Sequence, residues 1–321
     1  MLGITELTYT ALISFLIVVI LGPIFIPMLT KFKFGQTVRD DGPKTHLAKN
    51  GTPTMGGILM IVAILITGLT RSNVGSDMII GLISIVGFGL VGFIDDFIII
   101  KKRRSLGLKA WQKIVLQFAL ALYIASYQYT KSPSATQLII PFTDAVINLG
   151  LFYVPMMTFI IVGIVNAVNL TDGLDGLASG VTLIVATFFM LLASSVTVNT
   201  DIAVLAAATV GACLGFLGFN SYPAKIFMGD TGSMALGGAV VAFSILTNSI
   251  LLIPLVGGIY FAEAVSVILQ VGSFKLRGRR IFKMAPIHHH FEQCGWPETR
   301  VVFVFWITTV VLAWIGIIAI F

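Results

Sequence analysis

Ser84-Ile-Val-Gly-Phe-Gly-Leu-Val-Gly-Phe-Ile-Asp95-Asp96-Phe-Ile-Ile-Ile-Lys101-Lys102-Arg103-Arg104 is the stretch that decides how this chain must be read. Together with the apolar residues before it, the run is long enough to cross a hydrocarbon core about 30 Å thick as a helix. Two adjacent carboxylates interrupt it near one end, and a basic run closes it. Ionisable groups at that depth are costly to keep in lipid and are usually functional. The stretch therefore marks one side of a membrane and places chemistry there.

Apolar runs of this kind recur about ten times along the chain. They lie near residues 8–30, 55–71, 78–100, 110–128, 149–168, 177–196, 201–219, 233–248, 250–272 and 301–320. Composition agrees with them. Of 321 residues 57% are hydrophobic and only 11% are charged, and the mean hydropathy is +1.00. Those charges are too few to cover a soluble globule of this size. The expectation is one all-α polytopic domain over residues 1–321, with the lipid bilayer as most of its solvent. Because the segment ahead of the first run holds Glu6 and no Lys or Arg, no cleaved signal peptide is expected. Cys213 and Cys294 have no spacing that suggests a disulfide framework or a zinc site.

The formal charge of +6 would raise a nucleic-acid partner in a soluble protein, but here the placement of the charges matters more than their sum. Cytoplasmic loops are enriched in Lys and Arg. With both termini outside, all of the 20 basic residues except Arg71 and Lys131 fall in or beside loops on one side. That side is then cytoplasmic, and no nucleic-acid partner is implied. Two loops on the same side break the pattern. Residues 169–176 carry Asp172 and Asp175 with no cation, and residues 220–232 carry Asp230 with Lys225. The stretch 275–283 mixes basic and apolar residues, and it reads either as an anchor on anionic lipid or as a wall of an active site.

The polar residues on that side form the candidate site. Asp95 and Asp96 point about 100° apart on a helix, which suits two roles better than symmetric chelation of one ion; the simpler alternative is a helix end pairing with Lys101 or Arg103. Asn169, Asp172 and Asp175 recur at i, i+3 and would share one helix face, among glycines that allow a ligand to approach the backbone. Asp230 precedes the eighth run, where it could simply be an N-cap. It could equally build a phosphate site bridged by Mg²⁺ at a helix N-terminus. His288, His289 and His290 are consecutive and seldom could converge on one metal, but they suit phosphate oxygens. Lys113, one turn into the fourth run, either meets a phosphate or snorkels to the interface. Gathered on one side, such groups are what phosphoryl transfer uses.

These motifs resemble the polyprenyl-phosphate N-acetylhexosamine-1-phosphate transferases. The matching segments are Arg39-Asp-Asp-Gly-Pro-Lys-Thr-His46, Lys49-Asn-Gly-Thr-Pro-Thr-Met-Gly-Gly57, Asp95-Asp96, Asn169-Leu-Thr-Asp-Gly-Leu-Asp175-Gly, Gly218-Phe-Asn220, Phe227-Met-Gly-Asp230-Thr-Gly-Ser233 and Ala285-Pro-Ile-His-His-His-Phe291. The likeness covers about the whole chain, and the Gly-Thr-Pro-Thr-Met-Gly-Gly and triple-His segments are its specific parts. It implies ten helices, extracytoplasmic termini and a cytoplasmic cleft in a bacterial inner membrane. It also implies that UDP-N-acetylmuramoyl-pentapeptide and undecaprenyl phosphate are the substrates and UMP a product. Mg²⁺ would be held by Asp230 with Asn169. Asp95, Asp96, Asp230 and His289 would be catalytic. Lys49, Lys113, Asp172, Asp175, Asn220, Phe227, His288 and His290 would contact substrate, Phe227 offering a ring to uracil. A sister transferase using UDP-N-acetylglucosamine is the alternative within the class. An ion-coupled transporter is the alternative outside it, although Glu263 is the deep acidic residue the sequence offers it. The oligomeric state is open between a monomer and a homodimer.

Overall fold

In lipid every backbone N–H and C=O must find its partner within the protein, so long apolar runs become helices. The computed structural model describes residues 3–31, 49, 51–71, 74–102, 107–131, 136–143 and 145–320. Its helices are α1 (Ile4–Lys31), α2 (Gly57–Arg71), α3 (Ser76–Lys102), α4 (Ala110–Lys131), α5 (Tyr153–Thr171), α6 (Leu177–Ser195), α7 (Thr200–Asn220), α8 (Gly229–Leu246), α9 (Ile253–Val256), α10 (Gly258–Arg277), α11 (Ile287–Gln293) and α12 (Glu298–Ile318). The chain is an all-α multi-pass membrane protein, with 8 helices long and apolar enough to cross a membrane among the described residues. The sequence led us to expect about ten. Of the other two, α2 has only 15 residues, and α4 carries Gln112, Lys113, Gln117 and Gln128 within its 22 residues. The connection after α4 lies outside the predicted spans. It holds a small antiparallel hairpin of β1 (Gln137–Ile139) and β2 (Val146–Asn148), with Leu138 opposite Ile147.

The centre of the bundle is α8, buried at every position from Thr231 to Leu246. It packs most extensively on α3 and also on α5 and α2. Small residues permit this, since close backbone approach and dispersion drive helix association in lipid. A Cβ on Gly92 would lie 2.1 Å from the Asp230 carbonyl oxygen, so α3 and the first turn of α8 meet backbone to backbone. That contact sets Asp95 and Asp96 beside Asp230.

At its other end α3 is tied down by Asp77. This buried carboxylate accepts hydrogen bonds from Tyr127 Oη (3.2 Å), Lys131 Nζ (2.5 Å) and Asn199 Nδ2 (2.7 Å). Asn199 also caps α7, its Oδ1 accepting from Ile202 N at 3.2 Å. One carboxylate with three donors thus joins α3, α4 and α7. By contrast α10 turns mostly outward, with Phe261, Ile268, Leu269 and Val271 exposed and an inward face of Ile259, Tyr260, Glu263 and Ser266.

Candidate active site

At the Lys102 end of α3, groups from three helices, α3, α4 and α5, meet at Asp230. Its Oδ1 accepts from Asn169 Nδ2 at 3.0 Å, and its Oδ2 takes Lys113 Nζ in a short ion pair. The Asp95 carboxyl lies within hydrogen-bonding contact of it. Asn169 Nδ2 also donates to Ser233 Oγ at 2.8 Å, which joins α5 to α8. Lys113 was expected to meet a phosphate or to snorkel to the interface; here its turn of α4 faces the α3–α8 seam, and its ammonium pairs with Asp230.

Asp95 and Asp96 do different things. Asp95 Oδ1 accepts from Leu108 N at 2.8 Å, which holds the segment entering α4. Asp96 accepts from Asp230 N (3.2 Å), Thr231 N (2.9 Å) and Thr231 Oγ1 (2.6 Å). It therefore supplies from another helix the acceptor that an N-cap supplies locally, with the favourable charge for a helix N-terminus. The N-cap reading of Asp230 is accordingly corrected: α8 starts at Gly229, the N-cap position is Met228 with no side-chain cap, and Asp96 takes that role. Gly229 has φ +72°, and a Cβ there would lie 2.6 Å from Asp96 Oδ2. Only glycine combines that backbone with that approach.

The shared face expected for Asn169, Asp172 and Asp175 is also corrected. The helix α5 stops at Thr171, and Asp172 is its C-cap with φ −82° and ψ 52°, so only Asn169 is helical. Half-buried Asp172 has its carboxyl pushed up to about 8 by burial and by the charges of Asp230, Asp96 and Asp175, against the pull of Lys49. Asp175 Oδ1 pairs with Lys49 Nζ at 2.7 Å, and its Oδ2 accepts from Ala224 N at 3.0 Å. Glu298 Oε1 takes both Lys49 Nζ (2.6 Å) and Asp175 N (2.7 Å). Burial pulls the Lys49 ammonium down, but these two partners outweigh it and hold its pKa above the ordinary lysine value. Glu298 was absent from the sequence reading; the only signal for it was an acidic residue just ahead of the last run.

Asn220 is buried, its Oδ1 accepting from Gly176 N (3.1 Å) and Ser179 Oγ (3.2 Å) and its Nδ2 donating to Ile226 O (3.0 Å). It acts here by holding residues 174–179 against 221–226. Phe227 keeps a half-exposed ring while its N donates to Pro53 O at 2.8 Å and its O accepts from Gly56 N at 2.9 Å. The histidines lie on α11. His288 Nδ1 meets Glu263 Oε1 at 2.9 Å, His289 Nδ1 meets Glu292 Oε2 at 2.7 Å, and His290 Nδ1 accepts from Lys283 N at 3.1 Å. A Cβ on Gly173 would lie 2.1 Å from His288 Nε2, so α11 and the Asp172 loop are in contact. One end of the bundle thus holds every candidate residue. The Arg39–His46 motif lies outside the described residues.

Among the described residues no three His, Cys, Asp or Glu side chains are arranged to hold a metal ion. Asp230 and Asn169 nonetheless carry oxygen donors, and Asp95 crowds Asp230 with a second carboxyl. That fits Mg²⁺, which binds through one or two carboxylates, waters and substrate phosphates rather than an all-protein cage. Chemically, the arrangement offers clustered carboxylates, two lysines and one buried imidazole: a place to bring phosphates together.

Comparison with known proteins is consistent with this. Residues 78–248 match the family model described as glycosyl transferase family 4, and residues 49–61 match phospho-N-acetylmuramoyl-pentapeptide-transferase signature 1. A protein named phospho-N-acetylmuramoyl-pentapeptide-transferase from Clostridioides difficile (strain 630) is 79% identical over 321 residues, covering 100% of both chains. Proteins of the same name from Alkaliphilus metalliredigens (strain QYMF) and Clostridium botulinum (strain Eklund 17B / Type B) are 54% and 51% identical, covering 99% and 96% of this chain and 99% and 94% of their own.

Proposed function

Since the chain belongs to the phospho-N-acetylmuramoyl-pentapeptide-transferase family, we propose that it transfers phospho-N-acetylmuramoyl-pentapeptide from UDP-N-acetylmuramoyl-pentapeptide to undecaprenyl phosphate. The products are undecaprenyl-diphospho-N-acetylmuramoyl-pentapeptide and UMP. An oxygen of the lipid phosphate forms a bond to the sugar-linked phosphorus, and the bridging P–O bond to UMP breaks, UMP leaving with the electron pair. The observation that carries this reading is the meeting of Asp95, Asp230, Lys113 and Asn169 at the α3–α8 seam.

In this reaction Asp95 orients the lipid phosphate and takes any proton it carries, from a carboxyl fixed by Leu108 N. Asp96 keeps Asp230 in place by holding the start of α8. Asp230 and Asn169 would hold Mg²⁺, which when bound neutralises charge on the phosphates. Lys113 and Lys49 add fixed positive charge beside the diphosphate, and Asp172, Asp175 and Phe227 face the nucleoside. A direct displacement and a phosphosugar–aspartyl intermediate both fit these positions. The distribution of Lys and Arg supports ten spans in the bacterial inner membrane, with termini outside and the site facing the cytoplasm.

The test is UMP release by the purified protein given undecaprenyl phosphate and either UDP-N-acetylmuramoyl-pentapeptide or UDP-N-acetylglucosamine, with and without Mg²⁺. Release with the first nucleotide and Mg²⁺ is expected. Release only with the second would make the chain a sister transferase, and no release with either would remove the transferase reading.

A further inference from the structure

We infer that Glu263 is a positioning residue that presents His288 Nε2 to a phosphate oxygen of the nucleotide substrate. Glu263 and His288 are both 0% exposed. Glu263 lies on the narrow inward face of α10, within a helix that is otherwise largely outward-facing. Its Oε1 takes His288 Nδ1 at 2.9 Å, while Glu263 Oε2 and His288 Nε2 have no hydrogen-bond partner among the described residues. An unpaired buried polar atom is costly, and an acidic group in a spanning helix is more so. An apolar pair would pack there without that penalty, so the two open valences call for a functional use.

Geometry says where Nε2 points. It rests against Gly173, the residue between Asp172 and Leu174, at a distance where any side chain would overlap it. That loop also carries Asp172 and Asp175, which the proposed reaction, on which this inference rests, assigns to the nucleoside. A carboxylate fixed on Nδ1 sets both the ring plane and the tautomer, and so decides what the other nitrogen offers. With Nδ1 held by Glu263, the His288 ring aims Nε2 at the loop, where it meets a phosphate oxygen of the nucleotide. Glu263 touches no substrate itself; its effect runs through the ring.

The test is a double-mutant cycle on full-length protein, using Glu263→Leu, Glu263→Gln, His288→Ala and the Glu263→Leu/His288→Ala pair. UMP release and calorimetric affinity for UDP-N-acetylmuramoyl-pentapeptide are both measured, with Tm as the fold control. Glu263→Leu should slow release about 10- to 100-fold, the range for loss of a partner that orients a histidine. Glu263→Gln, which keeps an acceptor for Nδ1–H, should recover most of that loss. In the His288→Ala background Glu263→Leu should have no further effect. Removing one partner of a buried pair destabilises the fold, so Glu263→Leu should also lower Tm, and release is therefore measured well below the Tm of every variant. Release by Glu263→Leu within twofold of wild type, or an equal loss with and without His288, would overturn the inference. So would a loss of release in Glu263→Gln as large as that in Glu263→Leu. If wild type released no UMP, the proposed reaction would fall instead. The cycle read in nucleotide affinity would then still decide Glu263, since additive losses there remove it.

Discussion

The two ends of α3 carry buried aspartates in opposite circumstances. At one end Asp77 is surrounded by Lys131, Tyr127 and Asn199, so donors outnumber the carboxylate they serve. At the other, Asp95, Asp96 and Asp230 crowd together with Asp172 nearby, and Lys113 is the cation paired with Asp230. A satisfied carboxylate fastens helices. A cluster with surplus negative charge raises the energy of the folded state until something positive joins it, and such strain is kept at functional sites. The same residue type, in the same helix, is thus a fastening at one end and a receptor at the other.

The difference can be broken in graded steps. The largest effect should come from Asp230→Asn, which removes the charge on which Lys113, Asn169 and Asp95 converge: UMP release should fall by at least ~10³-fold in a protein that still inserts and melts as a folded species. Near-native turnover would remove Asp230 from the mechanism. Asp95→Asn should lower turnover by about 10²-fold or more, as loss of a general base does, and an unchanged rate across pH would count against that role. Asp96→Ala should lose the hydrogen bonds that hold the start of α8, lowering stability by ~1–2 kcal/mol as loss of a helix cap does, with turnover reduced less than in the Asp95 variant.

Smaller still is the effect of Asp172. Folding lifts its carboxyl from the ordinary 3.8 to about 8, so between these values the folded chain keeps a proton that the unfolded chain has released. Its contribution to stability is full below the lower value and is lost as pH rises through the upper one. Melting curves of Asp172→Asn from pH 5 to 8 should therefore lose less stability with rising pH than wild type, by a few degrees; identical slopes would contradict the shift. Smallest of all for turnover is Asp77→Asn, which should leave UMP release within about twofold while lowering Tm. A rate loss there comparable to Asp95→Asn would mean that the two ends are not separate in kind.

How much of this could be read from the residues follows from how local each feature is. Eight spans, the Asp95–Asp96 pair and the triple-His segment are written in consecutive residues, and can be seen without coordinates. The end of α5 was misjudged because the i, i+3 recurrence of Asn169, Asp172 and Asp175 continues on paper, whereas the backbone leaves the helix at Asp172 and starts α6 only after Gly176. Asp96 on Thr231, Lys113 on Asp230 and Glu298 on Lys49 join residues 135, 117 and 249 positions apart. Nothing in the composition near either partner announces the other. Glu263 stood out by its depth, but its relation to His288 exists only once α10 and α11 fold against each other.

The enclosure of α8 bears on how the protein is made. Its hydropathy of 1.3 is well below the 2.7 of α1, and its first turn carries Asp230 and Thr231, which makes it a poor candidate to enter lipid alone. Partners for those groups, Asp96, Lys113 and Asn169, all belong to segments synthesised earlier. During translation α8 is therefore suited to join helices already waiting at the insertion machinery, so that its polar turn passes from ribosome to pocket without ever being solvated by acyl chains.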